Sequence, residues 1–84
     1  MYVHLGSKKS VPERYIVGIF DLDGEVTPKI TAEFLASAEK AGIVSSAGDD
    51  IPRSFVVCAD KKGEEVLLSH ISSSTIGARV ERKE

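Results

Sequence analysis

The sequence predicts an α+β protein in which a small antiparallel β-sheet of about four or five strands packs with one amphipathic helix and a short C-terminal helix. Three observations support this fold class. Residues 14–22 form a strongly apolar β segment, residues 28–41 carry a helical apolar stripe, and two β-like runs flank a turn at residues 60–63. The 84 residues suffice for one hydrophobic core, so we expect residues 1–84 to form a single domain.

The first strand is predicted over residues 2–6, followed by a turn at Lys8, Lys9 and Ser10. Residues 14–22 form the second strand, and alternation would place apolar side chains on both of its faces. The expected faces are Tyr15, Val17 and Ile19 on one side, and Ile16, Phe20 and Leu22 on the other. A chain this short has little interior, so we expect a second layer or a second copy of the protein to cover this strand. The predicted oligomer interface consists of Tyr15, Val17, Ile19 and Phe20.

The middle of the chain predicts one amphipathic helix over residues 28–41. Thr27 can cap its first amides, Pro28 suits the first helical position, and Gly42 can end it in a left-handed conformation. The expected apolar stripe consists of Ile30, Phe34, Leu35, Ala38 and Ala41. Phe34, the largest of these, is the expected main anchor of the helix.

The second half of the chain predicts a β-hairpin followed by a short helix. Residues 45–51 are polar and are expected to form a loop. Residues 53–59 form a strand with Phe55 and Val57 on one face and Val56 and Cys58 on the other, and the turn at 60–63 leads to a returning strand. The serines and threonine of 72–75 supply caps for a final helix that must dock on the rest of the protein.

Composition and residue chemistry argue against an enzyme. Cys58 and His70 would lie about 13 Å apart along the predicted hairpin, too far to share a proton. Cys58 is therefore interpreted as a small buried residue, and His4 as a strand residue with local contacts. No pair of residues has zinc-ligand spacing and no phosphate-binding glycine loop is present, so we expect no metal and no cofactor.

The lone cysteine, the absence of a signal-peptide pattern and the absence of a long apolar run predict a cytoplasmic protein without membrane contact. The net charge of −2 argues mildly against nucleic acid, because duplex-binding domains usually carry a basic excess. A local basic surface remains compatible with this charge. The candidate phosphate-contacting residues are Lys8, Lys9, Arg53 and Arg79. His70 is expected opposite Arg53, where it either joins an anion-binding surface or is an ordinary exposed edge residue.

Four motifs in a fixed order resemble one known family. They are Met1-Tyr2-Val3-His4-Leu5-Gly6, Ile16-Val17-Gly18-Ile19-Phe20-Asp21, Pro52-Arg53-Ser54-Phe55-Val56-Val57 and Leu68-Ser69-His70-Ile71-Ser72-Ser73-Ser74-Thr75-Ile76. Together they cover nearly the whole chain, which resembles the RemA/RemB family of bacterial extracellular matrix regulators of biofilm-forming bacteria.

The resemblance implies a LytTR-like fold, assembly into a homo-oligomer such as a ring, and regulation of biofilm matrix genes through DNA binding. It also implies a DNA surface that includes arginines ahead of the strand that begins near Arg53. This chain departs from that pattern, because Asp49-Asp50-Ile51-Pro52 stands where the RemA pattern has adjacent arginines, and only Arg53 carries over.

Two hypotheses follow from the sequence. The first is an oligomeric transcription regulator that binds duplex DNA through backbone phosphates, alone or with a RemA-type partner. The second is a homo-oligomeric protein-interaction module that does not bind DNA, which the acidic balance and Asp49-Asp50 favour. Retention of the oligomer without DNA binding at low salt would distinguish the second from the first.

Overall fold

A computed structural model of the chain describes residues 2–7, 9–22, 28–48 and 50–81. These residues form six strands, two α-helices and one 3-10 helix at Glu13–Tyr15. The strands are β1 (Tyr2–Gly6), β2 (Lys9–Pro12), β3 (Ile16–Asp21), β4 (Val44–Ser46), β5 (Ser54–Asp60) and β6 (Gly63–Ser69). The helices are α1 (Lys29–Lys40) and α2 (Ser73–Glu81). The α+β class is confirmed.

The strands form two sheets, so the prediction of one antiparallel sheet is wrong. β1 and β2 make a two-stranded antiparallel sheet, and the other four strands follow the order β3-β5-β6-β4. β4 runs parallel to β6, whereas the other pairs are antiparallel. The expected turn at Lys8–Ser10 overlaps the start of β2, and the expected loop at 45–51 overlaps the end of β4. Both strands are short and gain their conformation from backbone pairing with β1 and β6.

The central strand β5 alternates as predicted and separates two layers of apolar side chains. Val56 and Cys58 point into a cluster that lies between the four-stranded sheet and the layer made by β1, β2 and α2. Phe55 points to the opposite face, where Ala38 of α1 and Val66 of β6 complete a second cluster. The larger cluster contains Val3, Leu5, Val11, Ala47, Val56, Cys58, Leu67 and Ile76. The four-stranded sheet is therefore covered on both faces within one chain.

Buried serines join the layers through hydrogen bonds. The Ser69 hydroxyl donates to the Leu5 carbonyl at 2.5 Å and accepts a hydrogen bond from the Ile71 amide at 3.1 Å. The Ser54 hydroxyl donates to the Ile71 carbonyl at 2.7 Å. These bonds fix the end of β1 and the connection to α2 against the sheet.

The helix α1 matches the prediction in place and type but not in its anchor. It starts one residue after Pro28, which is the N-cap, and Gly42 follows its end with φ of 76°. The predicted cap Thr27 lies outside the described residues. Ala38 is buried and Leu35 packs beside it, while Phe34 is 40% exposed and Ile30 is 77% exposed. Phe34 is therefore not the main anchor, because its ring stacks at the rim of the cluster, 6.1 Å from the ring centre of Phe55.

The strand β3 contains an irregularity that overturns the predicted alternation. Ile16 pairs with Cys58 but Gly18 pairs with Val57, so one residue of β3 is extra at this point. The shift places Ile16 and Ile19 against the same core cluster, whereas the sequence predicted opposite faces. Tyr15 was predicted to lie in the strand but belongs to the 3-10 helix that precedes it.

The C-terminal half follows the prediction closely. Asp60 pairs with Gly63 across the hairpin turn, where the Asp60 carboxylate accepts a hydrogen bond from the Lys62 amide at 2.8 Å. The Ser72 hydroxyl accepts one from the Thr75 amide at 3.3 Å and so caps α2, as predicted. In the described part of the chain, neither helix is long and apolar enough to cross a membrane.

Candidate nucleic-acid interface

Arg53 stands at one end of the four-stranded sheet, immediately before β5. Its amide donates to the Ser69 carbonyl at 2.7 Å, and its carbonyl accepts a hydrogen bond from the Leu22 amide at 2.9 Å. These two bonds fix its backbone between the neighbouring strands, while the residue is exposed. An exposed arginine whose backbone is held by two strands can offer its side chain to a phosphate from a fixed position at the sheet end.

His70 and Arg53 lie at the same end of the β5–β6 hairpin. Ser54 pairs with Ser69, so Arg53 just before Ser54 and His70 just after Ser69 both lie beyond the paired residues, and their pairing stays a prediction. The imidazole Nδ1 is buried and has no hydrogen-bond partner among the described residues. This end of the sheet therefore carries an exposed arginine and a histidine whose Nδ1 has no partner among the described residues.

The side chain of Arg79 makes a hydrogen bond within the protein. Its guanidinium donates to the His4 carbonyl at 2.7 Å and thereby ties α2 to β1. The His4 imidazole Nδ1 lies 3.1 Å from the Ser10 hydroxyl, which bears out the expectation of a local contact for His4. Substitution of Arg79 would thus disturb packing as well as charge.

Lys9 lies in a mixed-charge groove. The groove has a volume of about 450 Å³ and is lined by residues of β2, of the α1–β4 connection and of the β5–β6 hairpin. Its lining includes Lys9 and Lys62 together with Asp60, Glu64 and Glu65. The carboxylates oppose a phosphate in this groove, so Lys9 is a weaker candidate than Arg53.

The structure places the described candidate cations on three different elements: Lys9 on β2, Arg53 before β5 and Arg79 on α2. Lys8 and Asp49 lie outside the described residues, and Asp50 is exposed on the loop ahead of Arg53. The most compact candidate site is therefore the sheet end that carries Arg53 and His70, where the exposed Asp21, paired with Ser54 next to Arg53, adds negative charge.

The predicted oligomer residues differ in their exposure. Val17 is 69% exposed and Phe20 is 43% exposed, whereas Tyr15 and Ile19 are partly buried. Phe20 stacks on Phe55, with their ring centres 4.9 Å apart. β3 is an edge strand of the four-stranded sheet. An edge strand with large exposed apolar side chains offers a surface to a second chain.

Cys58 is buried, as predicted, and has no features of a nucleophile. Burial raises the pKa of its thiol to about 11; the carboxylate of Glu65 acts in the same direction, Lys9 acts against it, and Asp60 adds a smaller increase. A thiol with this pKa is almost fully protonated at neutral pH. Among the described residues, no three His, Cys, Asp or Glu side chains are arranged to hold a metal ion.

The described residues define a small α+β fold with a charged sheet end and an exposed apolar edge strand. No protein-family profile matches the chain. The chain is 37% identical over 81 residues to extracellular matrix regulatory protein B of Bacillus subtilis (strain 168), an alignment that covers 96% of this chain and 91% of the relative. The chain therefore belongs to the RemB-type extracellular matrix regulatory proteins, which confirms the resemblance seen in its motifs.

Proposed function

We propose that this chain is a cytoplasmic, oligomeric regulator of bacterial matrix genes that binds duplex DNA through backbone phosphates. The observation that carries the proposal is the 37% identity, over nearly the whole of both chains, to a protein named as an extracellular matrix regulator. That name denotes a regulatory protein and not an enzyme, in keeping with the protonated thiol of Cys58.

Arg53 supports DNA as the ligand. Its guanidinium is exposed at the sheet end, and its backbone is fixed by hydrogen bonds to two strands. Because the net charge of the chain is −2, the protein as a whole does not attract DNA, and binding has to come from a local group of basic side chains. Such a contact positions the protein on phosphate and reads no bases by itself.

The DNA proposal is tested by measuring the affinity for fluorescent duplex DNA over a series of salt concentrations. Arg53→Ala should weaken binding at low salt and reduce the log–log salt slope by about 1, because one phosphate contact is lost. Lys61→Ala is the matched control, since Lys61 is an exposed cation in the hairpin turn at the opposite end of β5. Equal losses of DNA affinity in both variants would show that only the total charge matters and that Arg53 is not part of a specific DNA site.

The oligomer proposal rests on the exposed edge strand β3. Val17→Lys should lower the mass of the assembly in light scattering, because a charge would be placed at each interface between copies. Tyr2→Lys is the control, since Tyr2 is 70% exposed on β1 of the other sheet. If Val17→Lys leaves the mass unchanged, the interface lies elsewhere.

The second candidate function is a homo-oligomeric interaction module. The acidic balance of the chain and the exposed Asp50 on the loop ahead of Arg53 favour it, because negative charge opposes phosphate. An intact oligomer that ignores duplex DNA at low salt, both alone and with a RemA-type partner, would select this candidate over the DNA-binding regulator.

A further inference from the structure

The mixed-charge groove lies between β2 and the turn end of the β5–β6 hairpin. Its volume of about 450 Å³ falls within the range of small-molecule sites, about 300–1,000 Å³. Its lining combines the buried apolar side chains of Val11 and Cys58 with the half-buried Tyr15 and with charged side chains of both signs. The groove is at the opposite end of β5 from Arg53, so it is separate from the proposed phosphate contact.

One negative and one positive side chain face each other across this groove. Cys58 pairs with Glu65 across β5 and β6, and cross-strand partners project from the same face of a sheet. Lys9 lies two residues before the buried Val11 on β2, so these two side chains share the face that points toward the four-stranded sheet. Both Lys9 and Glu65 are half-buried. The groove is therefore bordered by a carboxylate on one side and an ammonium group on the other.

The thiol of Cys58 reports on the positions of these two charges. Burial contributes most to the raised pKa of this thiol, while Glu65 raises the pKa further and Lys9 lowers it. Both charged groups therefore lie near the same sulfur atom, because salt and water screen the effect of distant charges. In the part of the chain that the structure describes, no ion pair joins Lys9 to Glu65. Each of the two charges is thus open to a third group.

A ligand of one charge sign fits this groove poorly. A phosphate or another anion meets the carboxylates of Glu65 and Asp60. A cation meets the ammonium groups of Lys9 and Lys62. A ligand that carries both an ammonium and a carboxylate group satisfies both sides, through charge-assisted hydrogen bonds to Glu65 and Lys9. The ring of Tyr15 and the apolar part of the lining offer a surface to the rest of such a ligand.

From this arrangement we propose that the mixed-charge groove binds a free α-amino acid with an apolar side chain, whose ammonium group contacts Glu65 and whose carboxylate contacts Lys9. The apolar side chain of the ligand lies against the ring of Tyr15. The bound amino acid bridges β2 and β6, which belong to different sheets, and the groove is thus an effector site. This inference goes beyond the proposed function and does not depend on DNA binding.

The test is a titration of the full-length, isotope-labelled protein with L-leucine and, separately, with L-phenylalanine, followed by NMR at constant ionic strength and neutral pH. At least one of the two amino acids should cause saturable shifts at residues that line the groove. The N-acetyl derivative of the same amino acid lacks the ammonium group, and its amide lacks the carboxylate. Each derivative should bind at least about tenfold more weakly than the amino acid, because one charge-assisted hydrogen bond is lost.

Two variants match these derivatives to residues. Glu65→Gln should weaken the binding of the amino acid at least about tenfold but should not weaken that of the N-acetyl derivative, which has no ammonium group. Lys9→Gln should weaken the binding of the amino acid but not that of the amide, which has no carboxylate. Glu33→Gln and Lys40→Gln on the exposed face of α1 are the matched controls and should bind the amino acid as the wild type does.

Cys58 gives a second readout, because it is the lone cysteine of the chain and lines the groove. The amino acid should slow the modification of Cys58 by a thiol reagent in the wild type, and should slow it less in Glu65→Gln at the same concentration. Failure of both amino acids to cause saturable shifts, equal binding of the amino acid and its derivatives, or unchanged binding in either variant would overturn the inference.

The titration contains no DNA, so its outcome is separate from that of the proposed function. If the amino acid binds as expected and duplex DNA does not bind at low salt, the effector site is upheld and the DNA proposal fails. If DNA binding depends on Arg53 and neither amino acid binds, the DNA function stands and the effector site is refuted.

Discussion

Gly6→Ala should destabilise the protein strongly for a substitution that adds one methyl group. The added Cβ would lie 2.5 Å from the Ala47 carbonyl oxygen, 3.0 Å from its carbonyl carbon and 3.2 Å from its Cβ. Ordinary contact begins near 3.4 Å, and the two closest atoms belong to the backbone, so no side-chain rotation relieves the overlap. Ala47 is fully buried, and its amide is held by the Leu68 carbonyl at 2.8 Å.

Overpacking of this kind typically costs 1–3 kcal/mol, and we expect about 2 kcal/mol here. For a domain of this size, that corresponds to a fall in Tm of roughly 8–16 °C. Thermal and urea unfolding followed by circular dichroism measure the effect. Gly77→Ala is the control and should gain about 0.5–1 kcal/mol, because alanine is the better helix former and its methyl group meets nothing. A Tm for Gly6→Ala within a degree or so of the wild type would refute the close approach of β1 and β4.

Three other outcomes are expected. Ser69→Ala should lower the free energy of unfolding by about 1–3 kcal/mol in urea unfolding, because the Leu5 carbonyl and the Ile71 amide lose a buried partner. Ser37→Ala on the exposed face of α1 is the control and should leave this free energy nearly unchanged. Cys58 should react with a thiol reagent at least about a hundredfold more slowly in the native protein than in denaturant; equal rates would contradict its burial. The raised thiol pKa also predicts stability that is full below pH 9.0 and declines as the pH rises towards about 11, because the unfolded thiol ionises first; a Cys58→Ala variant should lack this part of the decline.

Local sequence signals predicted the elements whose conformation is decided locally. The hairpin turn at 60–63 follows from Asp60, which accepts the Lys62 amide, and from Gly63. The end of α1 follows from Gly42, whose positive φ suits glycine. The alternation of β5 was readable because its strand is covered on both faces and has no irregularity in its pairing with β6.

The predictions are wrong for segments whose structure depends on residues that are distant in the sequence. β4 becomes a strand because Val44 pairs with Val66, and nothing in its own composition requires this. The extra residue in β3 reverses the facing of Ile16, and only Gly18 hints at it in the sequence. Phe34 was wrongly predicted as the main anchor because the sequence shows the size of a side chain but not how much of it the fold buries, and 40% of Phe34 is exposed.

The candidate site was predicted only in part. The sequence suggested an anion-binding surface at Arg53 and His70, and the structure places both residues at the same end of the β5–β6 hairpin. The approach of Gly48 to Ser7 and His70 could not be foreseen, because these residues come from separate connections that meet only in the folded protein. From the sequence alone, Gly48 is interpreted as an ordinary loop glycine, because its neighbours in the fold are not visible there.

The two ends of the chain close the same core, and this has a consequence for biosynthesis. Arg79 bonds to the His4 carbonyl across 75 residues, and Val3, Leu5 and Ile76 share one buried cluster. Because β1 is synthesised before α2, its apolar side chains can be buried against Ile76 only after that residue has left the ribosome. Folding of this core therefore depends on non-local contacts, and truncation before Ile76 would leave β1 exposed to chaperones and to mispairing.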